Sequence, residues 1–159
     1  METNQQDLGS LPKAIIDSNM YMVLGTADES GDPCATPVYF GHFEYREFYW
    51  ISSPEVKHSR NIAVRPQISI VIFDSQVPVG KGQAVYISAI AEELTDVNLD
   101  RGLDIYNGRF LNPGEHGVKL IQSEDVRAPG LYRLYRAAAL EHWVLDPAGR
   151  PDHRISVTI

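Results

Sequence analysis

The sequence contains little that would support a secreted, membrane-spanning or nucleic-acid-binding protein. Its 159 residues include a single cysteine, Cys34, so an intrachain disulfide is excluded and a cytoplasmic location is favoured. Lysine and arginine total 14 against 21 acidic residues, and the net charge of −7 argues against a nucleic-acid partner. No apolar run approaches the roughly 20 residues that cross a bilayer, and the polar, acidic start lacks an apolar signal core. We therefore expect a cytoplasmic protein without a membrane segment.

Several catalytic signatures are also missing. The sequence has no phosphate-binding Walker loop, no dinucleotide fingerprint and no recognisable Ser-His-Asp arrangement. Its five histidines include no pair at a spacing typical of metal ligands, which predicts that no metal is bound. Cys34 has no histidine or acid placed beside it by the sequence, so we do not interpret it as a nucleophile. No catalytic residue is assigned.

The patterning indicates one mainly β domain over residues 1–159. A helix is predicted at about 5–18, and six or seven strands follow, mostly joined by short turns. Residues 68–73 are β-branched on both faces, which predicts a central strand covered on both sides. Residues 95–128 have a helical pattern, and their loop-rich part, 106–121, is a candidate lid. Short connections without βαβ alternation favour an antiparallel barrel or sandwich with appended helices.

One segment in the middle of the chain suggests an anion site. Ser53 can cap a helix that starts at Pro54, and Pro66 ends it. Helical spacing predicts that Val56, Ser59 and Ala63 face the barrel, with Lys57, His58, Asn61 and Arg65 on another arc. The free amides of a helix N-terminus, the hydroxyls of Ser52 and Ser53 and a lysine one turn in can bind a phosphate monoester. A capped surface helix with a solvated basic face is the alternative, and Glu55 fits the phosphate site least.

The order of the surrounding motifs resembles a known family. The relevant runs are Gly31-Asp32-Pro33, Thr36-Pro37-Val38-Tyr39-Phe40, Tyr49-Trp50-Ile51-Ser52-Ser53-Pro54, Lys57-His58-Ser59-Arg60-Asn61-Ile62 and Arg65-Pro66-Gln67-Ile68-Ser69-Ile70. Together they resemble the pyridoxamine-phosphate-oxidase-like flavoproteins over about residues 15–95. The resemblance implies an antiparallel split β-barrel that forms a homodimer with two FMN sites at the subunit interface.

The resemblance also implies a set of cofactor-binding residues. Thr36, Pro37 and Val38 would border the flavin ring, and Ile51 and Ser52 would lie near the ring and the phosphate, beside the Ser53 hydroxyl already named as a cofactor-binding donor. Lys57 and His58 fall where the family places basic phosphate ligands, Asn61 faces the same site, and Gln83 would reach the flavin from the next long strand. Trp143, in a late strand, would either stack near the ring or pack in the core.

Two departures argue against vitamin B6 oxidation. True pyridoxamine phosphate oxidases begin this first strand with an arginine and end it with a lysine, where this chain has Thr36 and Gly41. Their C-terminal arginine and histidine motif is not recognisable either. The resemblance therefore implies an FMN-dependent oxidoreductase acting on an unidentified small molecule. A flavin- or haem-binding protein without turnover and a deazaflavin-dependent reductase are the alternatives.

Overall fold

The computed structural model describes residues 5–109, 119–146, 149, 151 and 153–159. Within these ranges the strands are β1 (Tyr21–Ala27), β2 (Pro33–Tyr39), β3 (Gly41–Phe43), β4 (Glu47–Ser52), β5 (Gln67–Phe73), β6 (Ala84–Glu93), β7 (Arg133–Leu145) and β8 (Arg154–Val157). The α-helices are α1 (Gln5–Ser18), α2 (Lys57–Val64) and α3 (Val97–Gly108), and Ser123–Val126 forms a 3₁₀ turn. No helix of the described ranges is long and apolar enough to span a bilayer.

The strands form one antiparallel sheet that curls on itself. Its order is β2-β1-β5-β6-β7-β4-β3, and β8 pairs with the second half of β7. β2 and β3 stand at opposite ends of this order, yet only Phe40 separates them in the chain. The sheet must therefore bend until its two ends meet, and a bulge between Ser88 and Ala89 adds curvature. The predicted antiparallel split β-barrel is confirmed.

Alternating apolar side chains fill the barrel. Met22 and Leu24 of β1 and Ile70 and Ile72 of β5 are fully buried, and each such side chain stabilises the fold by about 1.5–3 kcal/mol. The two ends of the barrel are covered by helices. Buried residues of α1 and α2 join the core there: Ile16 and Ile62.

β4 is buried on both faces, which explains its aromatic composition. Phe48 and Trp50 point into the barrel, whereas Tyr49 packs outside it in a second cluster formed with α3. Leu99 and Leu103 are the α3 residues of that cluster. α3 therefore lies on the outer surface of the barrel and does not cover an end.

Two of the expected elements differ from the structure. Among the described residues of 95–128, α3 is the one α-helix, since residues 119–122 are irregular and a 3₁₀ turn follows them. Most of the candidate lid at 106–121 lies outside the described residues. The strand at 68–73 is central, as predicted, but its outer face is open in the single chain, where Ser69 and Phe73 are exposed.

Candidate functional site

The seam of the barrel lies between β2 and β4. These strands approach each other but share no hydrogen-bonded ladder, because β2 pairs with β1 and β4 pairs with β3 and β7. Among the described residues, the second edge of β2 has no strand partner, so its backbone groups face the seam. The seam is therefore a natural place for a flat ligand with polar edges.

The N-terminus of α2 closes one end of this seam. Residues 54–56 form a turn, in which the Ser53 hydroxyl accepts the Glu55 amide at 3.2 Å, and α2 starts at Lys57. The predicted start at Pro54 is therefore three residues too early, because Ser53 bonds within the turn instead of capping the helix. The residue before the helix is Val56, which has extended backbone angles and no side-chain cap.

The first backbone amides of α2 have no hydrogen-bond acceptor within the helix. The first helical hydrogen bond runs from the Arg60 amide to the Val56 carbonyl at 3.1 Å. The amides of Lys57, His58 and Ser59 therefore have no helical acceptor, and they carry the positive end of the helix dipole. Three convergent N–H groups are a suitable site for a phosphate oxygen.

Lys57, the first residue of α2, adds a formal positive charge to this turn. Its side chain is half exposed, and its ammonium donates to the Asp32 carboxylate at 2.6 Å. This hydrogen bond raises the pKa of Lys57, so the ammonium stays charged. Asp32 precedes β2, so the ion pair connects the two sides of the seam. Glu55 is exposed at the surface.

His58 does not add a second charge. It is 6 % exposed, and its Nε2 lies 2.8 Å from the Ser52 hydroxyl on β4. Burial lowers the pKa of His58 below its usual value, so the imidazole is neutral at pH 7. The structure places His58 beside Ser52, but as a neutral hydrogen-bonding group.

Asn61 fastens α2 to the barrel. Its side-chain amide donates to the Thr26 hydroxyl of β1 at 3.0 Å, and both residues are buried. The helix is therefore rotated relative to the predicted face: Val56 and Ala63 are exposed. The buried set comprises His58, Ser59, Asn61 and Ile62. Of its three polar residues, Ser59 is buried as predicted, and His58 and Asn61 are buried because Ser52 and Thr26 supply their hydrogen bonds.

The remaining predicted residues lie along the seam or away from it. On β2, Thr36 is half-buried, Pro37 is exposed and Val38 belongs to the core, while Ile51 of β4 is half-buried. Gln83 precedes β6, where it lines a cavity of about 320 Å³ against α1. The seven residues of β5 separate that end of the barrel from α2 by about 20 Å. One chain does not bring Gln83 to the α2 site, and its role remains a prediction.

Gly41, the first residue of β3, lies directly against α3. A Cβ atom at this position would lie 2.9 Å from the Cα atom of Tyr106 and 3.2 Å from the Ile105 carbonyl oxygen. Any side chain here would collide with the backbone of α3. The packing of α3 on the barrel therefore leaves no room for a side chain at position 41.

Three residues that hold α2 in place lie outside the predicted cofactor-binding set. Asp32 and Thr26 contact α2 from positions at least 25 residues away, and no spacing rule in the sequence marks them. Arg65 donates to the carbonyl groups of Asp28 and Glu29, both at 3.2 Å, and so fixes the β1–β2 turn against the end of α2. Among the described residues, no cluster of three or more His, Cys, Asp or Glu side chains has the arrangement of a metal site.

Comparison with known proteins shows the family. The sequence profile of the pyridoxamine 5'-phosphate oxidase family matches residues 12–141, and the chain belongs to this family. No curated protein matches the sequence significantly.

Solved structures with the same fold have diverged far in sequence. The haem storage protein HutZ of Vibrio cholerae is 19% identical with a TM-score of 0.64, covering 84% of this chain and 90% of its own. A putative pyridoxamine 5'-phosphate oxidase of Listeria innocua is 15% identical with a TM-score of 0.62, covering 86% and 97%. An F420 reductase is 14% identical with a TM-score of 0.57, covering 82% and 94%. At these identities the likeness shows the fold alone.

Proposed function

We propose that the chain binds FMN and acts as an FMN-dependent oxidoreductase on a small molecule. The observation that carries this proposal is the first turn of α2, which combines three amides without helical acceptors with the charged side chain of Lys57. This combination suits the phosphate of a flavin mononucleotide. The hydroxyls of Ser52 and Ser53 add donors from β4 and from the turn.

The flavin ring would lie along the seam. Thr36, Pro37 and Val38 of β2 would line this space from one side, and Ile51 of β4 would line it from the other. Bound FMN supplies hydride or electron transfer, while the chain binds and orients it and excludes water. His58 and Asn61 hold α2 against Ser52 and Thr26, so they position the phosphate site. No side chain is assigned as an acid or base.

We further propose that the protein is a homodimer with the cofactor at the interface. The outer face of the sheet carries apolar side chains that one chain leaves open: Tyr21, Phe73 and Ile90 are 59%, 45% and 37% exposed. A second copy on this face would bury them and could bring its Gln83 to the seam. Sedimentation equilibrium tests this proposal, and a monomer with bound FMN would contradict it.

A single substitution tests the phosphate site. Lys57→Ala should weaken FMN binding by roughly tenfold or more, because a charge-assisted hydrogen bond to phosphate is lost. Riboflavin lacks the phosphate, so its affinity should change little. Arg60→Ala provides a matched control, since it removes the same charge from an exposed position on the same helix. Fluorescence titration of both flavins against the three proteins gives the result; equal weakening of FMN and riboflavin would contradict the assignment.

The relatives suggest which other ligands belong in the same experiment. Proteins of this fold include a haem storage protein and an F420 reductase. The purified protein should be yellow, bleach with reductant and recover in air. A Soret band would instead support haem binding. Tighter binding of a deazaflavin than of FMN would support the deazaflavin-dependent reductase. A bound flavin that no physiological donor reduces would support a flavin-binding protein without turnover.

A further inference from the structure

We propose that Asp32 is a built-in counter-ion that competes with the cofactor phosphate for Lys57 and thereby lowers the affinity of the α2 site for anions. This inference rests on the proposed function and concerns the regulation of the same site. It assigns a specific role to a residue that lies outside the set predicted to touch the cofactor.

The ion pair occupies the Lys57 ammonium, which is the positively charged group in the first turn of α2. The Lys57 ammonium lies 2.6 Å from the Asp32 carboxylate, and the two side chains are 48% and 60% exposed. Pairs this exposed gain little stability, because water screens the attraction and both side chains lose freedom. A phosphate can therefore displace Asp32 from Lys57 without a large loss of fold stability.

Asp32 cannot move far away when a phosphate arrives, because its turn is fixed. The Asp28 carboxylate accepts the Asp32 amide and the Ser30 amide, both at 2.9 Å, and the Ser30 hydroxyl at 2.7 Å. Arg65, at the other end of α2, holds the carbonyl groups of the same turn. The backbone of Asp32 is thus held close to Lys57 whether or not the side chains are paired.

The consequence is a carboxylate that repels any bound dianion. FMN must either share the ammonium with Asp32 or push the carboxylate into solvent near its own phosphate. Both outcomes weaken binding relative to a site without Asp32. Removing one unit of repulsive charge beside a bound phosphate should tighten binding by about five- to tenfold at low salt. The gain should shrink as salt screens the charges.

Asp32→Asn tests the inference, because it removes the charge and retains the backbone amide of the turn. Glu29→Gln provides the matched control: it removes the same charge from the same turn at an exposed residue that does not pair with Lys57. FMN and riboflavin are titrated at low and high salt against wild type, both variants and the double variant Asp32→Asn with Lys57→Ala. Thermal melting checks that each variant is folded.

Of the two single variants in the turn, only Asp32→Asn should bind FMN more tightly, and its affinity for riboflavin should be unchanged. In the Lys57→Ala background, Asp32→Asn should raise the FMN affinity much less. The counter-ion role is overturned if Asp32→Asn leaves the FMN affinity unchanged, or if Glu29→Gln raises it equally. The phosphate site itself still stands in that case if Lys57→Ala weakens FMN binding. If wild type binds neither flavin, the proposed function fails and this inference falls with it.

Discussion

Replacing Thr26 by valine removes the hydroxyl that holds α2 against β1 and keeps the shape of the side chain. Thr26 and Asn61 are only 5% and 3% exposed, and the Asn61 amide donates to the Thr26 hydroxyl at 3.0 Å. In Thr26→Val this buried amide loses its acceptor, and an unsatisfied buried donor costs about 1–3 kcal/mol. For a chain of this size, each kcal/mol lowers the melting temperature by about 2–4 °C.

Urea unfolding of wild type, Thr26→Val and the control Thr95→Val measures this cost. Thr95 is exposed, so its substitution should change the free energy of unfolding by less than about 0.5 kcal/mol. Thr26→Val should also weaken FMN binding, although Thr26 does not belong to the predicted cofactor set, since the position of α2 depends on this bond. Equal stabilities of the two threonine variants would refute the reasoning that Asn61 acts by positioning α2.

Two further predictions concern pH and packing. Burial lowers the pKa of three histidines below their unfolded value of about 6.5, namely His42, His58 and His142. The unfolded chain therefore binds more protons than the folded chain. The free energy of unfolding should be constant above about pH 7 and should fall as the pH drops through 6.5 toward the lower pKa values of the folded histidines. His58→Gln should reduce this pH dependence in urea unfolding experiments at several pH values. Gly41→Ala should destabilise by about 1–3 kcal/mol because its methyl group would meet the α3 backbone, whereas Gly82→Ala, where nothing lies within 4 Å, should not. Thermal melts of both glycine variants decide this point, and a stable Gly41→Ala would show that α3 is not packed as described.

Local patterns in the sequence were sufficient to predict most of the fold. The turn formers from Asp28 to Pro33 separate β1 from β2, and the prolines at 33 and 37 fit an edge strand, which β2 is. The β-branched run at 68–73 is a central strand. These features depend on residues close together in the chain, so propensity and alternation report them directly.

The α2 segment was predicted only in part from local sequence patterns. The helix and its termination before Pro66 were predicted, but its start was not, and of the predicted buried face only Ser59 is buried. The rules for caps favoured Ser53 and Pro54, whereas Ser53 bonds within a turn and the helix begins at Lys57. Apolar periodicity favoured Ala63 as a buried residue, yet Asn61 is buried because Thr26 accepts its hydrogen bond.

By itself, the sequence determined the strand pattern, the helix near residue 60 and the family to which the chain belongs. The tertiary structure decided how these parts make a site. Asp32 meets Lys57 and Thr26 meets Asn61 across gaps of 25 and 35 residues, and Gly41 lies against Tyr106. Such contacts follow from how the sheet curls and where the helices pack, and no periodicity of 2 or 3.6 residues encodes them.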